Sequence, residues 1–266
     1  MATPDRRRSM QLAGRTVFVA GGTSGLGLAT ARYFAERGSN VVVGGRRGDT
    51  AREIAAALPH AIGVELDIAN LDSVEAAVAL ALAEFGSIEA NVNTAGVNNT
   101  VPLVDAEGRA TIRQADYRRA LIQMIDTNLL GTFTVSSVVA EAMLANTPTE
   151  EGERGVIVNT SSAAGVEGSA TMTGYAGTKA GIIGLTLPAA RDLAGRGIRV
   201  NTIVAGGFDT PMLGPSGDEL AAISKVIPNP QRVGRPDEFA ALAAHIVENT
   251  YINGESIRID GALRLG

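Results

Sequence analysis

Cysteine is absent from all 266 residues, which excludes disulfides and any metal site built on thiolates. Histidine is almost absent. His60 and His245 stand alone, without partners at the spacing of a histidine-based triad or a zinc site, and read as surface or helix-end residues. Lysine occurs only twice, at 179 and 225, and the net charge of -5 argues against nucleic acid or an anionic membrane as the main partner. No apolar run approaches the ~18 residues that cross a bilayer. The one basic run, Arg6-Arg7-Arg8, lies in a short tail with no apolar stretch of signal-peptide length after it. The expectation is a cytoplasmic protein with a disordered tail over 1–12 and a single domain over 13–266. Its chemistry must come from hydroxyls, lysine, arginine and a bound cofactor.

What is present centres on Gly174-Tyr175-Ala176-Gly177-Thr178-Lys179, with Ser162 thirteen residues before the tyrosine. Tyrosine and lysine four apart share a helix face. A free phenol titrates near pH ~10, so a proton shuttle at neutral pH needs the phenolate favoured by roughly 4 kcal/mol. A neighbouring ammonium is a direct way to supply much of that. With four tyrosines and two lysines in 266 residues, chance would put a lysine at Tyr+4 about 0.03 times, so an ordinary surface pair is the weaker explanation.

Along the chain, short β-branched runs alternate with helical patterns. Strands are expected at 16–20, 40–44, 61–66, 90–93, 155–159, 199–204 and 256–259. Helices are expected at 25–37, 49–57, 71–85, 117–144, 175–195 and 236–248. This βα alternation predicts an α/β fold, a Rossmann-type doubly wound parallel sheet of about seven strands with helices on both faces. Ligands in such sheets bind beyond the carboxyl ends of the strands. The turn Gly21-Gly22-Thr23-Ser24-Gly25-Leu26-Gly27, between the first strand and first helix, is suited to a pyrophosphate. Asp67 and Ile68 follow the third strand, where the carboxylate could accept the adenine amino group or simply open the next helix. Asn128 interrupts a long helix at a position where asparagine is a poor interior residue, so it should face something specific. Segment 211–234, punctuated by proline and glycine, reads as a mobile lid.

After the second strand comes Gly45-Arg46-Arg47, with no carboxylate to bind ribose hydroxyls. Two guanidinium forks there suit a 2′-phosphate, which predicts NADP, with NAD as the alternative.

With GGTSGLG, Asn93-Thr94-Ala95-Gly96, Asn128, Ser162, Tyr175 and Lys179 in this order, the chain resembles the short-chain dehydrogenase/reductase family over nearly its whole length. Its C-terminal half looks most like the group of 3-hydroxyacyl-CoA dehydrogenase type 2, or 17β-hydroxysteroid dehydrogenase type 10. The segments that carry this likeness are 154–160, 186–194 and 253–262. The resemblance implies that Tyr175 is general acid in ketone reduction and general base in alcohol oxidation. It further implies that Lys179 lowers the tyrosine's pKa and binds the nicotinamide ribose, that Ser162 holds the substrate oxygen, and that Asn128 anchors a relay water. Thr210 would bind the carboxamide, with Asn93, Ala95, Gly96, Gly206 and Phe208 also at the cofactor. Val97, Ala164, Val166, Met172, Gly207, Phe208, Met212 and Leu213 would form a pocket for a small apolar carbonyl or alcohol, and family habit suggests a homotetramer.

The sequence departs from that pattern in four places. Gly45 stands where the group has aspartate and uses NAD, and Ala20 replaces a threonine before the glycine turn. Ala205-Gly206 stands for Pro-Gly, which should loosen the adjoining loop. Gly207 replaces a larger apolar residue, which should widen the substrate pocket. An NAD-dependent 3-hydroxyacyl-CoA or hydroxysteroid dehydrogenase is therefore the second reading, and a non-catalytic dinucleotide sensor the third.

Overall fold

The computed structural model describes residues 11–214 and 217–265, with the side chains of 217–219 left aside. The expectation of a disordered tail over residues 1–10 lies outside these. Leu12, assigned to the tail on sequence, is buried in the core, and its carbonyl accepts the Ser39 hydroxyl at 2.8 Å. The packed domain therefore extends at least to this residue.

Seven strands form one sheet in the order β3-β2-β1-β4-β5-β6-β7, with every recorded pairing parallel. They are β1 (Thr16–Ala20), β2 (Asn40–Gly45), β3 (Ala61–Glu65), β4 (Ala90–Asn93), β5 (Gly155–Ser162), β6 (Ile198–Ala205) and β7 (Ser256–Ile259). The central strands are near-continuous Val/Ile/Ala runs because helices cover both their faces. On one face α1 (Gly25–Ala35), α2 (Gly48–Ala56) and α8 (Pro236–Glu248) pack over Val17, Val19, Val41 and Val43. On the other, α3 (Leu71–Phe85), α5 (Gly131–Leu144) and α6 (Thr173–Leu193) cover Phe18, Val42, Ile157 and Val200. Helix α3 keeps its predicted bounds because both ends are chemically marked. The Asn70 side chain accepts from Ser73 N, and Gly86 closes the helix at φ 80.

Three stretches differ from expectation. The long helix at 117–144 begins earlier, as α4 (Ala115–Met124), and passes through a π-helical turn, Ile125–Leu130, before α5. Asn128 sits in that turn, the kind of local widening that accompanies functional positions in helices. Strand β5 runs three residues further than predicted, because Thr160, Ser161 and Ser162 pair with Ile203, Val204 and Ala205 of β6. Ser162 is thus held in sheet register rather than on a loop. Within 211–234, the expected lid contains a helix, α7 (Gly217–Val226).

Candidate active site

The strand order reverses between β1 and β4, and the cleft opens beyond the strand ends at that point. Its volume is about 430 Å³, within the range of small-molecule sites.

The nucleotide side of the cleft is largely backbone. Thr23, Ser24, Gly25 and Leu26 line it, flanked by Gly21 and Gly27. The first N–H groups of α1 have no intrahelical acceptor, and the Ser24 side chain does not cap them. That leaves donors and a helix N-terminus for a pyrophosphate. Side chains are excluded at two places in the turn: a Cβ on Gly21 would lie 2.7 Å from Ala95 N, and one on Gly27 would lie 2.1 Å from the Gly21 carbonyl oxygen. Arg46, Asp67, Ile68, Ala95 and Gly96 also border the cleft. The donors, glycine-lined turn and neighbouring guanidinium fit a dinucleotide.

Two predicted cofactor residues are not in the wall. Arg47 is the exposed residue preceding α2 and does not line the cleft. Asn93 is buried beneath the cleft, where its side chain donates to Thr132 Oγ1 at 3.2 Å and accepts from Ala95 N at 3.2 Å. It shapes the 94–96 turn from below. Asp67 does border the cleft, but one of its carboxylate oxygens already accepts Ala69 N at 3.0 Å.

Tyr175 and Lys179 enter the cleft from the first turns of α6, as their spacing requires, and both are buried. The Ser162 hydroxyl, placed by β5, borders the cleft beside the Tyr175 phenol and draws the phenol's pKa downward. It also accepts Ala164 N at 3.2 Å. Lys179 Nζ donates to the Thr160 carbonyl at 2.9 Å and lies 5.8 Å from the centre of the tyrosine ring. Burial lowers the lysine to about 8. Burial also raises the Tyr175 phenol above its ordinary value, with the neighbouring Ser162 hydroxyl pulling the other way. The downward shift through Lys179 that the four-residue spacing suggests is therefore not what this geometry produces. The ammonium is turned toward Thr160, and desolvation dominates at the phenol.

Asn128 is fully buried and does not border the cleft. Its side chain accepts Val97 N at 2.8 Å and donates to Val97 O at 2.9 Å and Thr178 Oγ1 at 3.1 Å. These three bonds tie the segment after β4 to the Tyr175–Lys179 helix. They use both N–H groups of the amide and one acceptor site of its oxygen, so a relay water anchored at Asn128 would have to donate to an oxygen of this residue.

On the substrate side, Val97, Ala164, Met172, Gly207, Met212 and Leu213 all border the cleft. Thr210 borders it too, packing beside Gly25 and so closing the two halves over each other. Phe208 contributes to the wall but belongs mainly to the core, edge-on to Phe239 at 6.2 Å between ring centres. Val166 is exposed and outside the cleft. Gly207 does not widen the pocket as expected, because a Cβ there would lie 2.9 Å from Ile223 Cγ2 of α7. The missing side chain lets the helix pack in. At Ala205-Gly206, Gly206 N continues the ladder by donating to Ile259 O at 3.0 Å.

Sequence reasoning missed Ile223 and Val226 of α7 and Leu263 and Leu265 near the C-terminus, all of which line the cleft. The α7 pair carries an apolar spacing of three, a usable signal had that segment been read as a helix. Leu263 and Leu265 carry none, since their position depends on the turn after β7.

The fold and cleft define a dinucleotide-binding α/β protein with a buried tyrosine, serine and lysine at the reaction end. The short chain dehydrogenase profile matches residues 15–221. A 3-hydroxyacyl-CoA dehydrogenase type-2 of Drosophila melanogaster is 41% identical over 249 residues, covering 93% of this chain and 96% of that protein. Its Homo sapiens counterpart is 39% identical over 254 residues, covering 95% and 96%. The crystal structure of 3-hydroxyacyl-CoA dehydrogenase type-2 from Mycobacterium avium superposes with a TM-score of 0.89 at 39% identity, covering 97% of this chain and 99% of that one. The chain belongs to the short-chain dehydrogenase/reductase family. It is an oxidoreductase that works with a nicotinamide dinucleotide.

Proposed function

We propose that the enzyme transfers a hydride between NADP(H) and a ketone or secondary alcohol with an apolar flank, using Tyr175 as general acid in reduction and general base in oxidation. The observation that carries this reading is the buried Tyr175, with Ser162 and Lys179 lining the same cleft as the glycine turn. When bound, the nicotinamide supplies or accepts the hydride. Ser162 holds the substrate oxygen beside the phenol, so the carbonyl is oriented before the proton moves. Tyr175 passes its proton to that oxygen in reduction and removes it in oxidation. Lys179 would bind the nicotinamide ribose, and with a pKa of about 8 it is mostly charged at neutral pH. Asn128 keeps the Val97 segment and the catalytic helix in register through its three hydrogen bonds.

The preference for NADP rests on Gly45 and Arg46. A Cβ at 45 would come 2.5 Å from Thr23 Cγ2, so the acidic residue suited to ribose hydroxyls fits only if Thr23 turns away. Arg46 is exposed beside the cleft and, among the described residues, makes no ion pair, which leaves its guanidinium open to a 2′-phosphate. The second reading, an NAD(H)-dependent 3-hydroxyacyl-CoA or hydroxysteroid dehydrogenase, is favoured by the names of the relatives. A carbonyl and alcohol panel that includes acetoacetyl-CoA, run with both cofactors and read as nicotinamide absorbance, separates the two. Preference for NADH would overturn the Arg46 argument. Absence of any turnover would favour a non-catalytic dinucleotide sensor. We further propose a cytoplasmic homotetramer. Leu130, Phe133 and Leu187, exposed on the neighbouring π turn, α5 and α6, support self-association. Light scattering gives the mass, and a monomer would refute this.

A further inference from the structure

We propose that Glu167 and Arg258 form a clasp that folds the C-terminal turn over the cleft, making Leu263 and Leu265 the wall that sets how long an apolar substrate the enzyme accepts. The inference rests on the reading of this cleft as a carbonyl or alcohol site and adds the element that sizes it.

Glu167 lies in the segment that leads from Ser162 to the catalytic helix, yet its carboxylate is spent on the other end of the chain. One oxygen accepts Arg258 Nη1 at 2.7 Å and lies 3.3 Å from Arg264 Nε, while the other accepts Leu265 N at 2.9 Å. Arg258, in β7, in turn donates to Asp260 Oδ2 at 2.7 Å and to the Leu263 carbonyl at 3.0 Å. Asp260 closes the turn by accepting Ala262 N at 3.0 Å. Every bond of this cluster falls on the backbone or side chains of 258–265 or on Glu167.

The consequence is apolar. Leu263 is buried, and Leu265 packs in the same small cluster as Ala164, Met172 and Tyr175. Both leucines line the cleft. The 263–265 stretch lies beyond β7 and outside the sheet ladder, so its position depends on such anchors. The clasp is the link between the segment after Ser162 and this wall, so Glu167 is a positioning residue and Leu263 and Leu265 are specificity-determining ones.

The test compares the native chain with Glu167→Ala, Glu167→Gln and Leu265→Ala. Two homologous series serve as probes: straight-chain 2-alkanones from butanone to dodecanone, and 3-ketoacyl-CoA thioesters of increasing length. Amide hydrogen exchange over 258–265 is measured alongside, without substrate. Glu167→Ala should speed exchange at Leu263 and Leu265, raise KM for the shortest substrates roughly tenfold and shift the preferred length upward, with kcat and cofactor KM little changed. Glu167→Gln, which keeps an acceptor for Leu265 N, should fall between. Leu265→Ala should move the length preference without loosening Leu263. Unchanged exchange in Glu167→Ala overturns the clasp, and an even loss of activity across all lengths overturns the wall. If the native chain turns over neither series, the reading of the site fails instead, and exchange still decides the clasp.

Discussion

The two sides of the cleft are built in different ways. The nucleotide side, at the ends of β1, β2 and β4, is made of backbone and glycine, with Arg46 as its one cationic side chain among the described lining residues. The substrate side is made of side chains from four distant segments: Val97, then Ala164 and Met172, then Met212, Leu213 and Ile223, and finally Leu263 and Leu265. A pyrophosphate is recognised by N–H groups whose geometry one local turn can supply. An apolar group is recognised by shape, which takes side chains gathered from wherever the fold brings them. Tyr175, Ser162 and Lys179 stand at the seam between the two.

That contrast can be broken most sharply at the seam. Tyr175→Phe should lower kcat by roughly 10²–10⁴-fold, the range for losing a positioned acid–base group, while cofactor affinity measured by fluorescence titration stays near native. Because burial holds the phenol above its ordinary value, the native enzyme's alcohol oxidation should climb as pH rises beyond neutrality, whereas ketone reduction should stay level over the same range because the phenol remains protonated. An oxidation rate flat from pH 6 to ~10 would rule the phenol out as the base.

On the nucleotide side, Gly27→Ala should act through the backbone. Its Cβ would lie 2.1 Å from the Gly21 carbonyl oxygen, so the turn must deform. Cofactor binding should weaken by at least tenfold, about 1.4 kcal/mol, with a lower Tm as well, whereas Met212→Ala on the substrate side should leave cofactor affinity untouched. Equal losses from both changes would erase the distinction between the sides.

Arg46→Asp should reduce affinity for NADPH by roughly ten- to a hundredfold, the worth of a hydrogen bond to a charged group, and leave NADH binding less affected. Parallel loss with both cofactors would assign Arg46 to something other than the 2′-phosphate.

The smallest expected effect concerns stability. Lys179 is lowered from 10.5 to about 8 by burial, so the folded chain binds fewer protons than the unfolded chain between those values. Stability should therefore gain a component as pH rises through that window, and carry a constant penalty below it. Lys179→Met should remove this component, which chemical denaturation at pH 8 and pH ~10 would reveal as a native-minus-variant stability that rises with pH.

Much of this was legible in the residue order alone. The period-2 and period-3.6 patterns placed all seven strands and the bounds of α3 and α8, because local sterics and capping determine such elements. The Gly21–Gly27 turn and the Tyr175–Lys179 pair are each contained within one turn of chain, so their chemistry follows from spacing. The catalytic residues' electrostatics were not legible. Spacing suggested an ammonium lowering the phenol, but depth of burial and the turn of Lys179 toward Thr160 reverse the direction. Asn93 and Asn128 carried a clear signal of importance, yet only the packing reveals that both work beneath the surface, holding backbone. The substrate wall was least legible of all. Gly207 reads as empty space until Ile223 is seen filling it, and Glu167 reads as a loop carboxylate until Leu265, 98 residues away, is seen donating to it. Local sequence determined the reaction chemistry and the nucleotide turn, because both are short-range. The size and shape of the substrate end were decided by tertiary structure, because they depend on which distant segments meet there.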